Sequence, residues 1–119
     1  MNTSELFNLK GKTAIVTGGA NGIGKATALI LAKHGANISI GDFNLEDAKK
    51  TAKEIEELGV KAIAIECNVL KDEDLVNLID KTVEELGGIQ ILINNAGGGA
   101  EVSKASFGVK NGEIFNALI

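Results

Sequence analysis

The chain has 119 residues, 45% hydrophobic and 24% charged, so it is long enough for one domain with a core and has the balance of an ordinary globular protein. Its formal net charge of −4 argues against nucleic acid or an anionic membrane as a partner. The sequence shows no membrane-spanning run and no signal-peptide pattern, and its single cysteine, Cys67, excludes an internal disulfide or a zinc site; we expect a cytoplasmic protein without a metal ion.

The first half of the chain alternates between strand-like and helix-like segments. Thr13–Thr17 (TAIVT) is a short β-branched run, typical of a strand buried on both faces. Residues 22–34 place apolar side chains at helical spacing and stop before Gly35, which predicts a helix with a glycine cap. The segment Asn37–Asp42 (NISIGD) is the second predicted strand. The apolar positions of the first helix are Ile23, Ala26, Leu29 and Ile30, with the stem of Lys33.

The second half repeats this alternation. Asn44 is the predicted N-cap of a second helix that runs to residue 58, and Asp47 stands three residues later, as in a capping box. A third strand covers residues 60–66. The third helix begins with acidic residues, which favour a helix N-terminus, and ends at Gly87. One face of this helix carries the apolar residues Leu75, Leu78, Ile79, Val83 and Leu86.

Strands and helices alternate three times, with links long enough for crossovers, which indicates a parallel sheet with right-handed connections. A fourth strand, residues 89–94 (IQILIN), is apolar on both faces. We predict an α/β, doubly wound, Rossmann-like sheet with strand order 3-2-1-4 in a single domain of residues 1–119. The fourth strand would be central in a complete sheet, and at an edge it would be an aggregation hazard. We therefore expect the sheet of this chain to be incomplete, truncated before a fifth strand.

Four glycines stand in the stretch TGGANGIG, residues 17–24, between the first strand and the first helix. Glycine loses more conformational entropy on ordering than other residues, so the stretch must need positive φ or a close approach to the backbone. We interpret Gly18 as the sharp exit from the strand and Gly22 as the point where backbone amides approach a pyrophosphate. Gly24 would let the helix pack tightly on the sheet. A glycine-rich turn without a ligand is the alternative.

Asp42 ends the second strand, where a doubly wound fold places the acidic residue that binds an adenosine ribose. A carboxylate there accepts hydrogen bonds from the ribose hydroxyls and repels a 2′-phosphate. Asn21, Phe43 and Asn44 carry no charge that would attract such a phosphate. These residues favour NAD over NADP, and the alternative for Asp42 is a solvated side chain in a turn.

Four stretches in sequence order resemble the short-chain dehydrogenase/reductase family over essentially the whole chain: GKTAIVTGGANGIG, the strand-end Asp42, CNV (residues 67–69) and ILINNAGG (residues 91–98). NNAG directly after the fourth strand is specific to that family. The resemblance implies an NAD-binding site made of Gly18, Asn21, Gly22, Ile23, Gly24, Asp42, Phe43, Asn68, Val69, Asn95, Ala96 and Gly97.

On the adenosine side, the resemblance gives each group a role. Residues 18–24 would line the pyrophosphate and the adjacent ribose, and Asp42 with Phe43 would hold the adenosine ribose. The family usually has Asp where this chain has Asn68, so adenine would donate its amino group to an uncharged amide oxygen and be held a little more weakly. Val69 would pack against the adenine ring.

On the nicotinamide side, residues 95–97 would border the ribose, and Asn94 would tie the central strands together. The family's catalytic groups are a Ser and a Tyr-x-x-x-Lys beyond the fifth strand, with an Asn on the helix after NNAG. This chain has no Tyr, and Asn116 comes too early to be that Asn. We therefore expect no catalytic residue here, and the chain resembles the cofactor-binding half of a larger enzyme.

The implied activity is hydride transfer between a secondary alcohol or ketone and NAD. Within the family the chain resembles bacterial hydroxysteroid dehydrogenases, although sugar dehydrogenases and acyl-thioester reductases share most of these residues; the last usually use NADP, which Asp42 disfavours. We expect a small-molecule substrate and a homo-oligomer at full length. A non-catalytic NAD-binding module and an inactive fragment are the alternatives.

Three further features have ordinary structural explanations. His34 ends the first helix, where a cation complements the helix dipole, so we predict a cap and not a catalytic base. Cys67 has no His partner in view, and we predict a buried, apolar-like thiol. The loop residues Glu101, Ser103 and Ser106 are predicted to be solvated.

Overall fold

The structure, a computed structural model, describes residues 7–95. Within that range it contains a four-stranded parallel sheet in the order β3-β2-β1-β4, with helices in the crossovers. The predicted doubly wound fold and its strand order are confirmed. The elements are β1 (Thr13–Thr17), α1 (Gly22–Lys33), β2 (Asn37–Asp42), α2 (Leu45–Glu56), β3 (Ala62–Glu66), α3 (Asp72–Leu86) and β4 (Ile91–Asn94).

The predicted boundaries differ from these elements only at some ends. α1 ends one residue early because His34 is its C-cap: the His34 amide donates to the Leu31 carbonyl, and the Gly35 amide donates to the Ala32 carbonyl. α2 ends at Glu56 and not at residue 58, since the chain leaves the helix through a turn in which the Leu58 amide donates to the Ile55 carbonyl. β3 and β4 each begin two residues later than predicted.

The carboxyl ends of the strands lie together at one edge of the sheet. Thr17 at the end of β1 is paired with Gly41 of β2 on one side and with Asn94 of β4 on the other. In doubly wound folds a ligand binds outside the carboxyl ends of the strands, where the strand order reverses. That point lies between β1 and β4, so the register places the candidate site there.

Helices cover both faces of the sheet, and alternating side chains of β1 enter both cores. Val16 packs with Ile40 in the core beneath α1 and α2. Ile15 packs with Leu92 and Leu75 in the core beneath α3. All five residues of β1 are buried, as expected for a strand with a neighbour on each side and helices above and below.

The face of α1 that packs on the sheet is made of small residues. Ala28 and Ala32 are buried there, and Gly24 is buried in the first turn of the helix. Two of the larger apolar side chains that mark the helix in the sequence point outward, since Ile23 and Ile30 are 77% and 56% exposed. Small side chains let a helix axis lie close to its partner. The predicted helix is therefore confirmed; of its large apolar residues, Leu29 is partly buried against the core, whereas Ile23 and Ile30 are not on the buried face.

A buried pair of hydroxyl groups joins β2 to α3. The Oγ atom of Ser39 lies 2.7 Å from Oγ1 of Thr82, and Thr82 Oγ1 donates to the carbonyl oxygen of Leu78 at 2.6 Å. Because Thr82 gives its proton to Leu78, Ser39 is the donor within the pair. Thr82 is buried in α3, whereas Val83, on the apolar face that the sequence indicates, is exposed.

Candidate functional site

The glycine-rich loop leaves β1 and enters α1 at the carboxyl edge of the sheet. Gly18 has a φ of +66°, and its amide donates to the carbonyl oxygen of Gly41 at 2.8 Å. Gly22 has a φ of +60°. Glycine adopts this left-handed conformation without the steric cost that other residues meet. Gly18 thus makes the predicted sharp exit from the strand, and Gly22 opens α1.

Gly22 and Gly24 are required for different reasons. A Cβ atom on Gly22 would meet no atom within 4 Å, so the space in front of this residue is open. A Cβ atom on Gly24 would overlap the carbonyl oxygen of Gly18 and lie 2.8 Å from Nδ2 of Asn95. The close packing at Gly24 is therefore against the loop and Asn95, and not against the sheet as the sequence predicted.

The Asp42 carboxylate is partly buried and fixed by two backbone amides. Its Oδ2 accepts from the amide of Ala20 at 3.1 Å, and its Oδ1 accepts from the amide of Asn44 at 2.9 Å. A carboxylate has about four acceptor positions. Two therefore stay available, at the end of β2, for the ribose hydroxyls predicted to bind there.

Ala20 in the middle of the loop is held through both of its backbone groups. Asp42 accepts from its amide, and the Thr51 hydroxyl of α2 donates to its carbonyl oxygen at 2.8 Å. Thr51 is buried. The loop is thus tied to β2 and to α2, and Thr51 is a contact that sequence analysis did not predict.

Asn21 precedes α1 in an extended conformation, with φ −145° and ψ 166°, but its side chain makes no capping hydrogen bond. Its Nδ2 donates instead to Oδ2 of Asp47, the third residue of α2, at 3.0 Å. The first turn of α1 contains no acidic residue, whereas α2 and α3 both have acidic residues in their first turns. The positive end of α1 is therefore not neutralised by a side chain of its own first turn.

Asn94, the last residue of β4, and Asn95, the residue after it, hold the end of β1. Thr17 Oγ1 donates to Oδ1 of Asn94 at 3.2 Å, and the Asn95 amide donates to Thr17 Oγ1 at 3.0 Å. Asn95 Nδ2 also donates to the carbonyl oxygen of Gly18 at 3.3 Å. Asn94 thus joins β4 to β1, as predicted, and Asn95 reaches the glycine-rich loop.

Beyond β3, Asn68 is already part of an Asx turn. Its Oδ1 accepts from the Leu70 amide at 3.0 Å, and its own amide donates to Oδ2 of Asp74 at 2.9 Å. An amide oxygen has a second lone pair, which would be needed for the adenine interaction predicted from the resemblance. Val69 is buried, while Phe43 and Leu70 expose apolar side chains after β2 and β3; the exposed Leu70 was not predicted.

The remaining predicted positions lie outside the described residues. Ala96 and Gly97, predicted to border the nicotinamide ribose, belong to this group. Glu101, Ser103 and Ser106, predicted to lie in a loop, and Asn116, predicted to lie in a helix, do as well.

His34 and Cys67 have the structural roles predicted for them. His34 is the C-cap of α1, and its Nδ1 donates to the carbonyl oxygen of Ile30 at 2.9 Å. Cys67 is buried beside Ile15 and Leu92 in the core beneath α3. Burial, with smaller contributions from the charges of Asp74 and Asp42, raises the pKa of the Cys67 thiol from 9.0 to about 11. A thiol that stays protonated at neutral pH is a poor nucleophile.

Other kinds of site find little support in residues 7–95. No group of three or more His, Cys, Asp or Glu side chains there could hold a metal ion, and no helix there is long and apolar enough to cross a membrane. A cleft of about 930 Å³, lined by residues that include Lys10, His34 and Lys61, lies at the amino ends of the strands. It is at the edge opposite the one where parallel α/β sheets bind ligands.

The carboxyl edge fits a dinucleotide at two points. Open space in front of Gly22 adjoins the uncapped N-terminus of α1, which suits a diphosphate. The Asp42 carboxylate, with acceptor positions to spare, suits a ribose diol. An NAD molecule is therefore compatible with the residues that this part of the chain places together.

Comparisons with known proteins agree with this geometry. A family model described as short chain dehydrogenase matches residues 12–116. The 7alpha-hydroxysteroid dehydrogenase of Escherichia coli (strain K12) is 40% identical over 99 residues, which are 83% of this chain and 39% of that protein.

Two solved structures are also similar. A 7alpha-hydroxysteroid dehydrogenase complexed with NADH and 7-oxo glycochenodeoxycholic acid has a TM-score of 0.78 and 40% identity, covering 82% of this chain and 38% of that one. An NAD⁺-bound xylitol dehydrogenase has a TM-score of 0.73 and 39% identity, covering 76% of this chain and 35% of that one. This chain thus spans less than half the length of the relatives it matches.

Proposed function

Because this chain belongs to the short-chain dehydrogenase family, we propose that it forms the NAD-binding part of an oxidoreductase that transfers a hydride between a secondary alcohol or ketone and nicotinamide. Residues 1–119 would form a single cofactor-binding unit. The observation that carries the proposal is the Asp42 carboxylate, fixed by two amides at the end of β2 and next to the open glycine-rich loop.

The part of the proposal specific to this chain is the choice of NAD. Asp42 would accept hydrogen bonds from the 2′- and 3′-hydroxyls of the adenosine ribose and would repel a 2′-phosphate. Asp47 adds a second carboxylate nearby, hydrogen-bonded to Asn21. Lys25 does not offer a free cation for a phosphate, since its Nζ pairs with Glu54 at 3.0 Å. The charges around the loop therefore support NAD and disfavour NADP.

The residues of the chain would bind and orient the cofactor. The uncapped amides of α1 would hold the diphosphate, and Asp42 with the neighbouring Phe43 would hold the adenosine. Asn95 would border the nicotinamide ribose while keeping Gly18 in place. When bound, nicotinamide supplies the hydride chemistry. The proton donor of the family, a Tyr, has no counterpart among these 119 residues.

For the substrate, we propose a secondary alcohol or ketone on a rigid apolar skeleton such as a steroid. Support comes from the similarity to a 7alpha-hydroxysteroid dehydrogenase, one structure of which is complexed with a 7-oxo bile acid conjugate. Because the chain is also similar to a xylitol dehydrogenase, polyols are the second substrate class to test beside hydroxysteroids. We also propose that the full-length protein is a homo-oligomer.

The proposal is tested by assaying the full-length protein that contains this chain with NAD and with NADP. Hydroxysteroids, simple secondary alcohols and polyols would be tested in turn as substrates. The absorbance of the reduced nicotinamide would measure turnover. We expect turnover with NAD and little with NADP. NAD binding without turnover on any alcohol would favour a non-catalytic NAD-binding module, and turnover with NADP alone would contradict the proposed role of Asp42.

A further inference from the structure

The N-terminus of α2 departs from the capping box that its sequence predicts. Asn44 Oδ1 accepts from the amide of Asp47 at 3.1 Å, which is the expected half of the box. In the other half, the Asp47 carboxylate would accept from the Asn44 amide. That amide donates to Oδ1 of Asp42 instead, at 2.9 Å. The Asp47 carboxylate is therefore left for another partner.

The partner is Asn21, which stands at the N-cap position of α1 and does not cap it. An N-cap Asn ordinarily accepts a hydrogen bond from the second or third amide of its helix, here Ile23 or Gly24. The Asn21 side chain makes no such bond, and its Nδ2 donates to Asp47 Oδ2 at 3.0 Å. The bond to Asp47 thus turns the Asn21 side chain from its own helix toward α2.

We propose that Asp47 is a positioning residue for the cofactor. By holding the Asn21 side chain, Asp47 keeps the first-turn amides of α1 available to the diphosphate of the dinucleotide. Without Asp47, the Asn21 amide oxygen would cap α1 and compete with the diphosphate for those amides. This inference rests on the proposed function, because it concerns the same cofactor site.

The negative charge of Asp47 and its hydrogen bond to Asn21 are expected to have opposite effects on cofactor binding, which makes the inference testable. A carboxylate near a bound diphosphate repels it, so loss of that charge alone should tighten binding or leave it unchanged. A weakening on removal of the side chain can therefore come only from the lost hydrogen bond or from damage to α2. Glu46, which also lies in the first turn of α2 and is exposed, controls for such damage.

The test measures NAD dissociation constants by calorimetry for the purified full-length protein and five variants: Asp47→Ala, Asp47→Asn, Glu46→Ala, Asn21→Ala and the double variant of Asn21→Ala with Asp47→Ala. We expect Asp47→Ala to weaken NAD binding about three- to tenfold, the effect of a competing N-cap. Asp47→Asn keeps an oxygen that can accept from Asn21, so its affinity should stay at or above that of the wild type. Glu46→Ala should change nothing. In an Asn21→Ala background, Asp47→Ala should have no further effect, because no competing cap remains.

The inference would be overturned by equal weakening by Asp47→Asn and Asp47→Ala, by equal weakening by Glu46→Ala, or by an Asp47→Ala effect that persists without Asn21. An Asp47→Ala variant that binds NAD like the wild type would also overturn it. Each leaves the proposed function standing, because the wild type still binds NAD. A wild-type protein that binds neither NAD nor NADP would refute both.

Discussion

Oδ2 of Asp42 accepts a hydrogen bond from the amide of Ala20 at 3.1 Å, across 22 positions of the chain. The carboxylate expected to recognise the ribose therefore also shapes the loop expected to bind the diphosphate. Thr51 holds the other backbone group of Ala20, and Asn95 holds Gly18. The two halves of the candidate site are thus one hydrogen-bonded unit, and substitutions in one half are expected to affect the other.

Replacement of Asp42 is expected to change cofactor preference. Asp42→Asn removes the charge that accepts from the ribose diol and repels a 2′-phosphate. A charged hydrogen bond is worth about 1.5–3 kcal/mol, so NAD should bind roughly ten- to a hundredfold more weakly, while NADP gains. Calorimetric titration with both cofactors measures the ratio.

The matched control is Glu66→Gln, because Glu66 is paired with Asp42 in the sheet register and its substitution removes the same charge one strand away. That variant should keep the preference of the wild type. A ratio of NAD to NADP affinity that does not move in Asp42→Asn would contradict the assignment of Asp42.

Substitutions at Gly22 and Gly24 are expected to separate cofactor binding from folding. Gly24→Ala forces a Cβ atom onto the carbonyl oxygen of Gly18, so the loop must move and the free energy of unfolding should fall substantially. Gly22→Ala meets no protein atom and should cost about 1–2 kcal/mol from its left-handed conformation alone. The methyl group of the Gly22→Ala variant enters the open space in front of this residue, so we expect this variant to lose NAD affinity more than stability. Urea denaturation and calorimetry of both variants check this, and equal losses of stability would count against the assigned difference.

The buried hydroxyl pair predicts unequal costs for its two members. Thr82→Val leaves the Ser39 hydroxyl buried without its acceptor, which should cost about 1–3 kcal/mol of unfolding free energy. Ser39→Ala leaves Thr82 still bonded to Leu78 and should cost less. The double variant should be no less stable than Thr82→Val, because the orphaned hydroxyl is gone. Urea denaturation of the three proteins is the measurement, and strictly additive losses would argue against the pair.

The raised pKa of Cys67 predicts both slow chemistry and a pH dependence. At neutral pH the native thiol should react with alkylating reagents far more slowly than the same thiol in urea. Because burial raises the pKa from 9.0 to about 11, the unfolded state loses its proton first as pH increases. The contribution of Cys67 to stability is therefore complete below pH 9 and declines from there to about pH 11. Cys67→Ala should reduce the loss of stability over this interval, and an identical pH profile in that variant would contradict the expectation.

Local sequence patterns were sufficient to predict most of the fold. The predicted bounds of β1 and β2 agree with the structure. A short β-branched run between glycine and polar residues is compatible with few structures other than a strand. The strand-end position of Asp42 followed from the same pattern. The buried face of α1 does not follow from its apolar spacing alone, because Ile23 and Ile30 share that spacing and are exposed, whereas the small residues Ala28 and Ala32 are buried in the core.

The contacts that sequence reasoning missed join distant parts of the chain. Asn21 with Asp47, Thr51 with Ala20, and Ser39 with Thr82 are separated by 26, 31 and 43 positions. Spacing within one helix or strand carries no information about such pairs. Asp47 was recognised as a capping residue, but its carboxylate could be assigned to Asn21 only after the packing of α1 against α2 was known. The individual roles of the twelve proposed cofactor residues stay predictions.

The most direct test of the central claim is calorimetric titration of the purified full-length protein with NAD and with NADP at one ionic strength. We expect NAD to bind, and to bind at least about tenfold more tightly than NADP, because Asp42 accepts from the ribose diol and repels the 2′-phosphate. Equal or tighter binding of NADP would contradict the role of Asp42, and no binding of either dinucleotide would contradict the cofactor site itself.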